Sequence, residues 1–407
     1  LTSCSEPQPD EFPNPDPPPT VGRHTVPIDQ ALGELDDLLG VIDGQGTRAG
    51  GVRTIAQVQT LHAQALALTR SASEPGEQPE ELLYVVNFED DAGYAVLGAD
   101  DRLPAVLAVT DEGSLTTEEL VRAANGQTTP EEFTFPNEML MNYVSGIGGI
   151  GGGGIGGGGI GGGGIPTGPF TDFDTQLGNP PAGFEGYEWS DWKNLEYVAP
   201  MVTTRWHQED PFNRHCPVIG GETCVAGCAA IAMAQIVASN HLHHNVSPGR
   251  IGNISLNWTL IRQGIIDPDL LNRNSSIANQ VALLVAALGL KLGMNYGVTQ
   301  SGASIDDAEY CFKYIGYKGV NNHTFRPSYV RTMLWERQRP TYVRAVNAQK
   351  EGHAWVADGW LYRRRDQYAV IFGKRSDYSV SNQTQTLMHC NFGWGGRCDG
   401  FYHIGLF

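Results

Sequence analysis

Residues 227–237 have the sequence Gly-Cys-Ala-Ala-Ile-Ala-Met-Ala-Gln-Ile-Val. Ala, Met and Gln are strong helix formers, so the segment predicts a helix that begins near Cys228. A thiol at a helix N-terminus faces the positive end of the dipole and free N–H groups, and both favour the nucleophilic thiolate. Gly227 would let another segment approach closely. The sequence therefore offers Cys228 as a candidate nucleophile, and a small Cys buried in an Ala-rich core helix is the structural alternative.

A second segment predicts a strand that carries a histidine. Residues 351–360 have the sequence Glu-Gly-His-Ala-Trp-Val-Ala-Asp-Gly-Trp, in which apolar and polar residues alternate. Residues 342–346 would be its hairpin partner. His353, near the start of this strand, could take the proton of Cys228 and form an ion pair with it. A structural histidine at a strand end is the alternative.

A third segment supplies a candidate for the residue that orients the imidazole. Residues 389–396 have the sequence His-Cys-Asn-Phe-Gly-Trp-Gly-Gly, and Asp-Gly-Phe-Tyr follows at 399–402. Asn391 could accept the second N–H of His353, as the third member of a Cys-His-Asn set. Trp394 could shield that hydrogen bond from water. A Gly- and aromatic-rich turn in a sheet is the alternative.

These motifs together resemble the streptopain-like cysteine peptidase family. Cys, His and Asn follow one another in the papain order, although the local papain signature around the Cys is absent. The family has similar motifs to GCAAIAMAQI, GHAWVADG, NFGWGG and DGFY, and to Trp206-His207-Gln208 followed by Pro211-Phe212-Asn213. The resemblance spans roughly residues 196–403. It implies an α+β fold, with a papain-like cysteine peptidase domain at 185–407 preceded by a small α+β pro-domain at 24–145.

The resemblance also implies a role for each site residue. Cys228 would be the nucleophile, His353 the general acid/base, and Asn391 the group that orients His353. Gln208 would donate to the oxyanion beside the Cys228 backbone N–H. Residues that would bind substrate or pack the site are Trp394, Gly352 and Gly227. Phe392 stands where the family has a first Trp.

The predicted pro-domain contains one amphipathic helix and two or three strands. Residues 28–41 have a helical apolar period, and residues 83–88 and 93–97 form a predicted hairpin. Residues 103–109 could add a third strand. The segment from Tyr84 to Val109 resembles the family's pro-domain, which implies an intramolecular inhibitor that covers the site.

The remaining segments predict export and processing. Leu1-Thr2-Ser3-Cys4 resembles the end of a bacterial lipoprotein signal, so Cys4 is a candidate lipidation site, and the Pro-rich remainder of 1–22 would be a tether. Residues 146–168 form a Gly/Ile-rich linker, where we expect activation cleavage. The zymogen would be an outer-membrane or cell-surface lipoprotein, and cleavage would release the mature form.

Composition excludes several other classes. The 407 residues carry a formal net charge of −18, which argues against nucleic acid as a partner. An apolar run of membrane-spanning length is absent from the sequence, so the expected membrane contact is the lipid at Cys4. The sequence has no CxxC pair, and we expect neither a metal nor a cofactor. Cys216 and Cys224 are candidates for a disulfide, as are Cys390 and Cys398.

The predicted function is therefore a secreted or surface-anchored cysteine endopeptidase, made as a zymogen, that cleaves extracellular proteins through an acyl-enzyme. Two rival hypotheses remain. One is an inactive or weak homologue that acts as a surface binding protein, and the other is a thiol amidase or acyltransferase on a non-protein substrate.

Overall fold

The computed structural model describes residues 24–45, 53–66, 80–127, 134–146, 182–346 and 352–407. The predicted tether at 1–22 with Cys4, and all of the predicted linker at 146–168 except Gly146, lie outside the described residues. We call residues 24–146 the N-terminal region and residues 182–407 the C-terminal region.

The described residues of the N-terminal region form three α-helices and four strands. The helices are α1 (Ile28–Ile42), α2 (Thr117–Ala124) and α3 (Thr134–Gly146). The strands are β1 (Ile55–His62), β2 (Glu81–Phe88), β3 (Tyr94–Gly98) and β4 (Val106–Thr110). The predicted helix and all three predicted strands are confirmed, each within a few residues of its expected bounds.

The C-terminal region begins with two strands that both pair with β12, continues as a largely helical half and ends in long strands. Its helices are α4 (Cys228–His244), α5 (Trp258–Ile266), α6 (Leu270–Arg273), α7 (Ser275–Lys291), α8 (Ile305–Tyr314) and α9 (Pro327–Arg331). Its main strands are β5 (Phe184–Trp189), β6 (Lys193–Val198), β11 (Thr341–Val346), β12 (Gly352–Ile371), β14 (Ser381–Asn391) and β15 (Gly400–His403). Two-residue strands are β7 (Val218–Ile219), β8 (Glu222–Thr223), β9 (Arg250–Ile251), β10 (Ile254–Ser255) and β13 (Lys374–Arg375).

One sheet runs through both regions, in the strand order β1-β2-β3-β4-β15-β14-β12-β11. The connection is the antiparallel pairing of β4 with β15, in which Phe401 faces Val109 and Tyr402 faces Ala108. Strands β5, β6 and β13 also pair with β12. The sequence predicted two separate domains and did not predict this shared sheet.

One hydrophobic core lies within the C-terminal region, and two others span both regions. The core around α4 includes Ala354 and Val356 of β12, so this helix packs directly on the strand that carries His353. The two other cores each combine side chains from both regions. Leu35 and Leu38 of α1, for example, share a core with Leu361 and Phe401. Burial of these apolar surfaces is the main force that holds the two regions together.

A buried cluster of charged groups lies beside the β4–β15 pairing. His389 of β14 is fully buried, with Nδ1 2.6 Å from an Asp358 carboxylate oxygen and Nε2 3.3 Å from a carboxylate oxygen of Asp111, just after β4. Burial alone would lower the pKa of His389, but the two nearby carboxylates have the larger effect and raise it to about 10. The imidazolium therefore joins a carboxylate from each region.

The α+β class is confirmed, and one prediction about the cysteines is wrong. Cys216, Cys224, Cys390 and Cys398 are all free thiols. Cys216 is buried beside the Tyr296 hydroxyl, and burial raises the pKa of its thiol to about 11. Every helix of the described residues is too short or too polar to cross a bilayer.

Gly400 tests the shared sheet, because a Cβ at this position would lie 2.3 Å from the Val109 carbonyl oxygen and 2.5 Å from Thr110 Cα. We expect Gly400→Ala to lower the free energy of unfolding by about 1–3 kcal/mol, since β4 must move away. Gly249→Ala is the control, because its Cβ would meet nothing within 4 Å. Urea unfolding measures both, and equal stability of the two variants would contradict the pairing.

Candidate active site

The predicted helix begins at Cys228, and Gly227 is the residue before it. Gly227 has φ of +86°, a conformation that side chains rarely adopt. A Cβ there would also lie 2.9 Å from Met294 Sδ and 3.2 Å from Ser301 Cβ. The glycine therefore allows the close approach that the sequence indicated and turns the chain into α4 at Cys228.

Cys228 and His353 line the same cleft, which has a volume of about 410 Å³. Other residues of this lining include Asn295, Gln300, Ser301, Tyr342, Arg344 and Gly352. The structure thus brings together four of the predicted site residues: Cys228 and His353 with the flanking Gly227 and Gly352.

The Cys228 thiol is half-buried, and burial raises its pKa above the ordinary value. The Ala354 backbone N–H and the charge of Arg344 work in the opposite direction without overcoming burial. The backbone N–H groups of Cys228 and Ala229 at the helix N-terminus lower the pKa of the thiol, in the direction that the sequence predicted, but they do not overcome burial. Desolvation of the sulfur outweighs the helix end.

His353 is the second residue of β12, and its imidazole points to a backbone carbonyl. Its Nε2 lies 3.0 Å from the Phe392 carbonyl oxygen, to which it donates. Burial lowers the pKa of His353 to about 4, so the imidazole is neutral near pH 7. Among the described hydrogen bonds none joins His353 to the Cys228 thiol, and the predicted ion pair is not formed in this arrangement.

Aromatic rings surround His353 on several sides. The ring centroid of Trp394 lies 4.4 Å from that of His353, and the Phe392 ring lies at 6.0 Å. The third ring comes from the N-terminal region, since Phe135 of α3 lies 5.5 Å from His353 and 5.4 Å from Trp355. Helix α3 therefore packs on the candidate catalytic imidazole, which explains why His353 is neutral and desolvated.

Asn391 does not make the hydrogen bond that the sequence predicted. Its Oδ1 accepts from Gln235 Nε2 at 2.8 Å and from the Gly393 backbone N–H at 3.1 Å. Its Nδ2 donates to the Thr204 carbonyl at 3.0 Å. Both lone pairs of Oδ1 are thus used, and His353 donates to the next residue's carbonyl instead. In this arrangement Asn391 fixes the turn that presents the Phe392 carbonyl.

Gln235 was not predicted as a site residue, although it lies in the segment at 227–237. Its Oε1 accepts from Thr204 Oγ1 at 2.9 Å and from the Trp206 N–H at 3.3 Å, while its Nε2 holds Asn391. The available signal was a single amide within the apolar run at 229–237, because a polar side chain buried there needs hydrogen-bond partners.

Gln208 lies close to the start of α4. Its backbone carbonyl accepts from the Ala226 N–H at 2.8 Å, two residues before Cys228, and its side chain is half-buried. This backbone pairing is compatible with the predicted oxyanion role, which stays a prediction.

Comparison with known families now identifies the segment that carries this cleft. The Peptidase C10 family model matches residues 206–402, which include Cys228, His353 and Asn391. Residues 206–402 are a Peptidase C10 domain. A second model, described as Spi protease inhibitor, matches residues 52–125 of the N-terminal region.

Individual relatives of the Peptidase C10 domain are distant in sequence. Streptopain from Streptococcus pyogenes is 24% identical over 239 residues, which cover 49% of this chain and 53% of the relative. The chain thus spans about half the length of the curated relatives that it matches. Two solved structures from Prevotella intermedia are also similar. A mutant prointerpain A fragment is 19% identical with a TM-score of 0.47, and the match covers 86% of this chain and 93% of the fragment. Active interpain A is 21% identical with a TM-score of 0.38, covering 52% and 88%.

The raised pKa of Cys228 predicts how its thiol reacts in the intact chain. Because the thiolate is the reactive form, we expect alkylation of Cys228 by iodoacetamide at pH 7 to be roughly 10-fold or more slower than that of free cysteine. The rate should rise continuously from pH 6 to pH 10, and His353→Ala should leave this profile unchanged. Peptide mapping of the intact chain measures the rate, and a plateau that begins near pH 6 would instead indicate a thiolate–imidazolium pair.

Proposed function

We propose that this chain is the zymogen of a cysteine endopeptidase, with Cys228 as nucleophile and His353 as general acid/base. The observation that carries the proposal is the shared cleft of these two residues inside a Peptidase C10 domain. Cys228 at the first residue of α4 and His353 near the start of β12 are held on elements that pack directly together.

The reaction would follow the usual course of a thiol peptidase. His353 takes the proton of the Cys228 thiol, and the resulting thiolate attacks the peptide carbonyl. The oxyanion that forms accepts hydrogen bonds from the Cys228 N–H and from Gln208. His353 then donates its proton to the leaving amine, and water hydrolyses the acyl-enzyme. Asn391 supports this step through the turn at 391–393, since its three hydrogen bonds hold the main chain beside His353. Trp394 packs on the imidazole.

The N-terminal region would act as the intramolecular inhibitor. Helix α3 packs Phe135 on His353, and the imidazole is thereby kept neutral and bonded to the Phe392 carbonyl. A neutral imidazole cannot stabilise the thiolate as an ion pair. Inhibition would therefore act on the protonation state of the pair as well as on access to the cleft.

Processing and location complete the proposal. Cleavage in the Gly/Ile-rich linker at 146–168 would separate the two regions covalently. The protein would be exported, held on the membrane by a lipid at Cys4 and released in its mature form. Its substrates would be extracellular proteins.

The central test compares the parent chain with Cys228→Ala and His353→Ala under reducing conditions. We expect the parent to hydrolyse casein and both variants to lose at least about 1,000-fold of that rate, because the nucleophile and its base act as a unit. Cys311→Ala is the control, since it removes a buried thiol of α8 outside the cleft. A parent that stays inactive after its N-terminal region has been trimmed by another protease would favour a binding protein or a non-protein substrate.

Phe135 provides a separate test of the inhibitory contact. We expect Phe135→Ala to shorten the lag before casein hydrolysis by roughly 5-fold or more, the effect of about 1 kcal/mol of lost packing. Asn142→Ala changes an exposed residue of the same helix and should keep the parent lag. Equal lags in the two variants would show that the ring does not restrain His353.

A further inference from the structure

Two arginines and a tryptophan of the C-terminal region form a second cluster, away from the Cys228 cleft. Arg363 and Arg365 are two residues apart on β12, so they lie on the same face of the sheet. Trp192, between β5 and β6, packs against both, with guanidinium carbons 4.4 Å and 4.6 Å from its ring centroid. Arg363 lies ten positions after His353 on β12, roughly 33 Å along an extended strand.

The carboxylate that contacts this cluster directly comes from the N-terminal region. Glu34 of α1 accepts from Trp192 Nε1 at 2.7 Å and from the Arg365 guanidinium through its other oxygen. Arg363 Nη2 lies 4.0 Å from the same carboxylate. Glu34 is buried, although acidic side chains are rarely buried unless they are paired.

The Arg363 guanidinium lies near an anionic group but does not make all the hydrogen bonds that it could donate. Its side chain is fully buried, and its Nε donates to Gln385 Oε1 at 2.6 Å. Neither of its terminal nitrogens has a hydrogen-bond partner among the described residues. Burial lowers the pKa of this guanidinium to about 10, and the carboxylates of Glu34 and Asp37, both of α1, act against that change. A buried guanidinium without an anion is costly, so this position requires a carboxylate or a similar group.

We propose that Trp192, Arg363 and Arg365 form a carboxylate-binding site for peptides, separate from the Cys228 cleft, which Glu34 fills as an internal ligand. All three binding residues belong to the C-terminal region, whereas the carboxylate belongs to the N-terminal region. When the N-terminal region departs, a step that rests on the proposed function, the site takes an acidic side chain of another peptide segment. The apolar neighbours of Glu34 on α1, such as Leu35, indicate that an amphipathic helical segment fits best.

Chemical rescue in the full chain tests the site without any need for proteolysis. The variants are made in a Cys228→Ala background. Glu34→Ala removes Cγ and the carboxylate, and an acetate ion has the size to replace these atoms. Acetamide is the control compound, because it has the same shape as acetate but no charge. We expect acetate to raise the melting temperature of Glu34→Ala by roughly 2 °C or more above acetamide and sodium chloride. Asp29→Ala, at an exposed position of the same helix, should show no such difference. Equal effects of acetate and acetamide on Glu34→Ala would overturn the site.

A double-mutant cycle keeps the test valid if Glu34→Ala does not fold. Glu34→Gln keeps the side-chain volume, and we expect it to lower the melting temperature more when Arg365 is present than in an Arg365→Gln background. Additive effects of the two substitutions would contradict the assignment.

A labelled peptide tests the class of ligand. The linker of the Cys228→Ala, Glu34→Ala chain is cut by an added protease, and the cut protein is titrated with a peptide of residues 28–42. We expect at least 10-fold tighter binding than for the Glu34→Gln version of the peptide, about 1.4 kcal/mol. Equal binding of the two peptides would overturn the peptide assignment. Because neither readout uses activity, failure of the endopeptidase proposal would be seen separately, in the casein assay.

Discussion

The antiparallel pairing of β4 with β15 is the contact on which the rest of the arrangement depends. It extends one sheet from the N-terminal region into the C-terminal region, with β15 between β4 and β14. Asp111 then reaches His389, whose other ring nitrogen faces Asp358. With the sheet fixed in this register, α3 covers the face that carries His353 and α1 covers the face that carries Arg363 and Arg365. The N-terminal region therefore covers both His353 and the Arg363–Arg365 pair of the C-terminal region, and we call it the docked unit.

The electrostatics of these covered groups differ because their partners differ. His353 is surrounded by aromatic rings and one carbonyl, and burial lowers the pKa of its imidazole to about 4. His389 is also buried, but two carboxylates raise its pKa to about 10. Burial alone thus does not determine the charge of a histidine, and the neighbouring charges decide it. The same reasoning explains Cys228, because its neighbouring imidazole is neutral and burial of the thiol is left as the dominant influence on its pKa.

Local patterns in the sequence were sufficient for the elements that carry Cys228 and His353 and for the shared cleft of these two residues. The Ala-rich run after Gly227 predicted α4, and the alternation after Gly352 predicted the strand that brings His353 to Cys228. The pairing of β4 with β15 was not predictable in this way. An apolar strand pattern shows that a strand is buried, but it does not show which other strand it pairs with. The hydrogen bond expected of Asn391 was wrong for a related reason. Its lone pairs are taken by Gln235 and Gly393, and local sequence does not reveal which distant donor is closest. The proposed disulfides failed because a spacing of eight residues does not define the side-chain geometry that a bond requires.

Hydrogen–deuterium exchange on the intact Cys228→Ala chain tests the shared sheet most directly. If β4 and β15 are paired, the backbone amides of residues 106–111 and 399–403 should exchange as slowly as those of the β12–β14 pairing, since both would open with the folded core. Fast exchange of 399–403 beside slow exchange of β14 would mean that β15 is a free edge. That result would contradict the shared sheet and, with it, the covering of His353 and Arg363 by one docked unit.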